Sequence, residues 1–181
     1  MTIYYKLTNA QDETQGPTKW GVGVTHVATG DPVRQPLCSN AYIHAYEHPL
    51  LAVLHDPIGA NFGPTAHLWE AESDDEPLRD RQMKLGVRSL MTLRRIELPE
   101  VTTEQRVRYA ILCGKAVYHE PSWTTWADNW LSGVDRGRSS ADAADVAARA
   151  VAQAAADAAD AAWARVVDID LIAIALEAVS Q

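Results

Sequence analysis

At 181 residues, 47% apolar and 22% charged, the chain suits one domain, or one domain with a helical appendage, and wholesale disorder is excluded. A formal net charge of −8 excludes a broad nucleic-acid surface, which needs clustered Lys and Arg, but leaves room for a local cationic pocket. No apolar run approaches the roughly 20 residues of a membrane span. The opening MTIYYKLTNAQDE has no basic-then-apolar leader pattern. Cys38 and Cys113 have no CxxC partner and read as reduced thiols, so the expected location is the cytosol.

In chain order, IYYKLT (3–8) and KWGVGVTHVAT (19–29) alternate and are rich in β-branched and aromatic residues, so each is expected to form one strand. Gly21 and Gly23 permit a bend or close approach within the second, and Gly30-Asp31-Pro32 ends it. In CSNAYIHAYEHPLLAVLH (38–55), Pro49 suits a first helical position and pushes the residue before it out of the helical region. The expectation is an extended Tyr42–Tyr46, with Tyr42, His44 and Tyr46 on one side and Ile43 and Ala45 on the other. His48 then stands near the cap of a short helix from Pro49 to about His55, ended with help from Pro57.

HLWEAE (67–72) is a further strand, and LGVRSLMTLRRIEL (85–98) is one or two strands stopped by Pro99. Thr102 and Gln105 form a capping box for a helix to Val117, with Val107, Ala110, Ile111, Gly114 and Val117 on one face. Strands first and helices later predict an α+β fold with an antiparallel or mixed sheet: an α+β domain over 1–120, then a helical module over 121–181.

In WTTWADNWLSGVDRGR (123–138), Trp123, Trp126 and Trp130 make an aromatic stripe on a helix ended by Asp135-Arg136. The stripe reads as a surface docking the C-terminal helices onto the first domain, or as a ligand-stacking or protein-binding face. The composition then changes: 141–164 holds fifteen alanines, an excellent helix former. Ser139 or Ser140 can cap this helix, and Asp142, Asp145, Arg149, Gln153, Asp157 and Asp160 form its polar stripe. Ile169, Ile172, Leu176 and Val179 give a second apolar helix. The pair is a hairpin turning at VVDID, or one long bent helix. Alanine faces that admit close approach suit a homo-oligomer.

The chemistry is sparse. His44 and His48 have helical metal-ligand spacing, but Pro49 breaks that helix, so no metal site is expected. Cys38 lies among histidines where a thiolate is conceivable; Cys113, mid-helix among Ile111, Leu112 and Gly114, reads as inert. There is no GxxxxGK[ST] and no GxGxxG, and no cofactor is expected. Glu47 and Glu70 are the carboxylates nearest the histidines. Glu70, in a strand between Trp69 and Ala71, is solvent-facing or points into a cleft as a base or a ribose ligand.

The segments LCSNAYIHAYEHPLLAVLHDPIGANF, LWEAE, KLGVRSLMTLRRIELPEVTTEQRVRYAILCGKAV and WADNWLSGVDR, followed by the alanine-rich tail, resemble uncharacterised proteins carried by phages and by high-GC bacteria. That resemblance implies a viral origin. YYKLT, AYIHAY before Pro49, and LWEAE also fall in the order of the ADP-ribosyltransferase-like fold, although Lys6 stands where that fold places Arg or His. This second similarity implies an NAD-using enzyme with Glu70 as the acid and Tyr42, His44 and Lys6 contacting substrate.

The leading expectation is a non-catalytic phage accessory protein with an anti-defence role. It would bind a small host molecule such as a nucleotide signal, or a host protein, and neither nucleic acid nor membrane. Its ligand residues would be Tyr42, His44, Tyr46, His48, Trp69 and Glu70, with aromatic rings stacking on a base and histidines meeting an anionic group. This requires Tyr42, His44 and Tyr46 to project into one open concavity roofed by Trp69–Glu70. The alternatives are the NAD-using enzyme and a structural or protein-interaction module that uses the tryptophan stripe.

Overall fold

The structure is a computed structural model that describes residues 1–14, 16, 18–55, 62, 65–80, 82–137 and 169–180. The fold is α+β. Strand β1 (Thr2–Thr8) turns Tyr4, Lys6 and Thr8 to one face. The single strand expected over 19–29 is interrupted. Strands β2 (Glu13–Thr14) and β3 (Thr18–Lys19) form a small hairpin, and β4 (Val24–Val27) starts only after a turn. Gly23 makes that turn at φ 72°, a left-handed conformation open to glycine at no steric cost.

Next come β5 (Ile43–Ala45) and helix α1 (Pro49–His55). They are followed by β6 (His67–Ser73), β7 (Leu78–Asp80), β8 (Lys84–Val87) and β9 (Ser89–Ile96). A four-stranded sheet runs β1-β6-β9-β4, a three-stranded sheet runs β5-β8-β7, and every pairing is antiparallel. The 85–98 pattern therefore splits between two sheets. At the crossing, the Arg88 guanidinium donates to the carbonyls of Ala28 and Ala41. Tyr5 and Tyr46 join the sheets through reciprocal backbone bonds of 2.8 and 2.9 Å.

The inner faces of both sheets supply one core: Tyr4, Ala71 and Leu90 from the larger, Ala45, Leu85 and Val87 from the smaller, with Trp20 between. Burying such side chains stabilises by roughly 1.5–3 kcal/mol each.

The chain divides into two compact units, Met1–Val101 with Leu171–Leu176, and the described part of Thr102–Asp170 with Glu177–Gln181. In the second, α2 (Thr103–Val117) begins at the expected capping box: the Gln105 amide donates to Thr102 Oγ1 at 3.2 Å and the Thr102 amide to Gln105 Oε1 at 2.9 Å. Helix α3 (Pro121–Leu131) starts with Pro121 at its first turn and Glu120 as its cap. Trp123 and Trp130 bury with Ile111 and Ala127, and Trp126 packs at the edge of that cluster. The α2 face differs from the expected one. Arg108, Tyr109 and Ile111 are buried, whereas Val107 and Val117 are exposed, because the α3 rings settle over Gly114 and Ile111. Helix α3 also ends earlier than Asp135-Arg136. Gly133 takes a left-handed φ of 79° just past the Ser132 cap, a common helix stop.

Helix α4 (Leu171–Val179) buries Leu171, Ala175 and Ala178, while Leu176 is half exposed. The expected stripe of Ile169, Ile172, Leu176 and Val179 is thus replaced on the helix by one about one residue earlier, because alanines allow closer packing than large side chains do. Pro57, the alanine-rich helix expected over 141–164 with its caps, and most of VVDID, where a hairpin turn or a bend was expected, lie outside the described residues. Among the described residues, no helix is long and apolar enough to cross a membrane.

Candidate functional site: a cationic and aromatic row on the inner sheet face

The six side chains expected to bind a ligand do not share one concavity. His48 is the N-cap of α1: its carbonyl accepts from the Ala52 amide at 3.2 Å and its Nδ1 from the Leu50 amide at 3.2 Å. An accepting Nδ1 requires the neutral ring, and burial holds the His48 pKa below the usual range. His44 Nε2 lies 2.7 Å from the Leu37 carbonyl, and burial pushes its pKa down. The Tyr42 hydroxyl reaches the Pro32 carbonyl at 3.4 Å. Tyr46 is 6% exposed, its ring 6.4 Å from that of His55.

Trp69 and Glu70, consecutive on β6, point to opposite faces as strand geometry demands. Glu70 meets Arg94 across the strands in a two-point pair, 2.7 and 2.8 Å. It therefore cannot roof the Tyr42–His44 side together with Trp69. A cavity of about 230 Å³ lies elsewhere, lined chiefly by Met1, Thr25, Glu72, Asp74, Asp75 and Met91. None of the six lines it.

What the fold does assemble is a row across β1, β6 and β9. Lys6, Trp69 and Arg95 are direct cross-strand neighbours on the face that carries Tyr4 and Ala71. A β-bulge produces this arrangement. Ala71 pairs with Thr92 but Glu70 with Arg94, so Leu93 is the extra residue on β9. Strict alternation from Leu90 and Thr92 would turn Arg94 inward; the bulge turns Arg95 inward instead.

Lys6 is 9% exposed; its Nζ donates to the His44 carbonyl at 2.7 Å and sits 5.2 Å from the Trp20 ring centre. Burial lowers its pKa to about 8. Trp69 is 3% exposed, and its indole N–H has no acceptor among the described residues. The Arg95 guanidinium lies over the Trp69 ring, 5.3 Å from its centre, a cation–π contact.

Asp12 anchors the outer end. Its carboxylate pairs with Arg95 and stands 2.7 Å from His67 Nδ1. Burial pushes its pKa up, but His67 and Arg95 outweigh that and hold it below the usual carboxylate value. Asp12 also adopts a left-handed φ of 60°, which Asp and Asn tolerate better than most residues. The Trp20 indole donates to Thr14 Oγ1 at 3.0 Å, and its ring packs edge-on to His26, centroids 4.6 Å apart.

The row thus places two cationic side chains, Lys6 and Arg95, on either side of the buried Trp69 indole. The sequence signal for it was the Arg94-Arg95 pair in a strand, since one of two consecutive residues must face inward. The Asp12 contribution had no such signal, because it comes from a loop 83 residues away.

Other reactive groups are placed less favourably. Cys38 is exposed, with Lys84 Nζ 3.0 Å from its sulfur. Burial pushes the Cys113 thiol up. Among the described residues, no three His, Cys, Asp or Glu side chains are grouped to hold a metal ion. Neither a protein-family model, a curated protein nor a solved structure matches the chain.

Proposed function

We propose that the chain is a non-catalytic accessory protein of phage type that binds a small host molecule, a nucleotide being the favoured class, at the Lys6–Trp69–Arg95 row. The observation that carries this is a buried lysine whose cross-strand neighbour, Trp69, is buried with an indole N–H that lacks an acceptor among the described residues. Each costs stability: a buried charge several kcal/mol before compensation, an unsatisfied donor about 1–3 kcal/mol. Such costs concentrate at functional sites. Two indoles next to two cations suit a base and an anionic group together.

The non-catalytic reading is supported by the commitment of the expected acid. Glu70 is held by Arg94, and His44 and His48 serve backbone groups. The tryptophan stripe that would serve a host protein is largely used in the α2–α3 core. The resemblance of its sequence segments to phage-borne proteins supports removal of a host defence signal as the role of such a binder. The Asp12–His67 pair beside the row favours, as a second reading, an NAD-using enzyme with a proton-moving pair at that end.

A thermal-shift screen against NAD⁺, ADP-ribose and cyclic nucleotides tests this. A ligand at a hundredfold excess over its Kd adds about 2.7 kcal/mol. The ligand should be recovered intact, the shift should vanish in Lys6→Met, and it should persist in Glu70→Gln. Released nicotinamide would establish the enzyme instead, and no response to any compound would overturn both.

A further inference from the structure

We infer that Lys6 and Trp69 form an oxyanion subsite within this face, taking a phosphate or carboxylate group of the ligand once the Arg95 side chain moves off the Trp69 ring. The inference rests on the binding reading above and gives the ligand's chemistry at one end. A lysine carries three N–H donors, and the bond to the His44 carbonyl uses one. The Trp69 N–H adds another donor without an acceptor. A group with several lone pairs and a negative charge satisfies these donors and offsets the ammonium; a neutral carbonyl does only the first.

The cover is Arg95. Its side chain is 48% exposed and is held from outside by Asp12. On swinging away it remains within reach of an anion and supplies a second cation. Asp12 is therefore a competitor, a carboxylate occupying the guanidinium the ligand needs. The titratable or charged groups around Lys6 and this row are His44 from β5, Arg95 from β9 and, further out, His67 and Asp12.

The test follows the indole N–H signals by NMR during titration with inorganic phosphate, against chloride at equal ionic strength. Trp69→Phe assigns the signal. The Trp69 signal should move saturably with phosphate while the other indole signals stay in place. Lys6→Met should abolish the movement while the indole signals stay dispersed and the circular dichroism spectrum is unchanged, which shows the fold intact; the Trp20 signal alone should start from a new position, since Lys6 Nζ lies over that ring. Asp12→Asn, which keeps a residue tolerated at left-handed φ, should lower the phosphate midpoint several-fold, a gain that a merely structural carboxylate would not give.

With a nucleotide that stabilises the fold, Trp69→Phe should weaken binding by about tenfold, the loss of one bond to a charged group. A nucleotide that stabilises the fold but leaves the Trp69 signal unmoved overturns the subsite and spares the binding reading. Movement equal in chloride, or equal at all indoles, overturns the subsite as well. Silence towards phosphate and every nucleotide overturns both.

Discussion

Lys6 and His48 show how single residues give this chain a pH signature. Lys6 has a folded pKa of about 8 against 10.5 in the open chain. Between those values the unfolded state holds a proton that the folded state has released, so stability rises with pH across that window. Below about pH 8 the full penalty applies, roughly 3 kcal/mol. Lys6→Met removes both penalty and slope, though it strips the His44 carbonyl of its donor at about 1–2 kcal/mol. Urea unfolding of both proteins from about pH 7.5 to about pH 10 should show the wild type gaining on the variant as pH rises; parallel curves would contradict a buried Lys6.

His48 acts in the acid range. Its folded pKa is lowered, so its contribution is complete above about pH 6.5 and is lost as pH falls towards the folded value. Asn caps helices well and does not titrate. His48→Asn should hold stability within about 0.5 kcal/mol at neutral pH and flatten the acid loss, read as urea midpoints at neutral and mildly acidic pH.

At the scale of elements, sequence reads best where the determining contacts are local. Thr102 and Gln105 are three residues apart and built their capping box as read; Pro49 began α1 where it stands. Strand β6 was equally legible from HLWEAE. The misreadings share one cause, packing partners remote in sequence. The buried stripe of α2 was chosen by the α3 rings it meets, and that of α4 runs through its own Leu171, Ala175 and Ala178. The bulge at Leu93 leaves no mark in an alternating strand, yet it decides which arginine joins the site.

Gly114 tests the α2–α3 contact. A methyl there would stand 2.8 Å from the Trp123 ring. Ala favours a helix by about 1 kcal/mol over Gly, but crowding a rigid ring costs typically 1–3 kcal/mol. Gly114→Ala should therefore lower the thermal midpoint and perturb tryptophan fluorescence. A rise in stability with unchanged fluorescence would mean that the ring does not pack there.

Across the molecule, a candidate site emerged from two sheets meeting at Tyr5 and Tyr46, with the polar row entering the same inner face as the core. The order of strands before helices foretold the α+β class, and a net charge of −8 still left room for a local cationic pocket. It could not foretell that Lys6, Trp69, Arg95 and Asp12, spread over three strands and a loop, would converge. Of the six residues first singled out, only Trp69 belongs to that convergence; the others are tied to helix capping, backbone carbonyls, the sheet junction or a cross-strand ion pair.

The most direct measurement is made on protein purified from a bacterial lysate, denatured, and its released small molecules identified by mass spectrometry, for the wild type and for Lys6→Met side by side. The account predicts an intact anionic compound bearing a planar base, released by the wild type and missing from the variant, with both proteins folded by circular dichroism. The same compound in equal yield from both, or none from either, would contradict it.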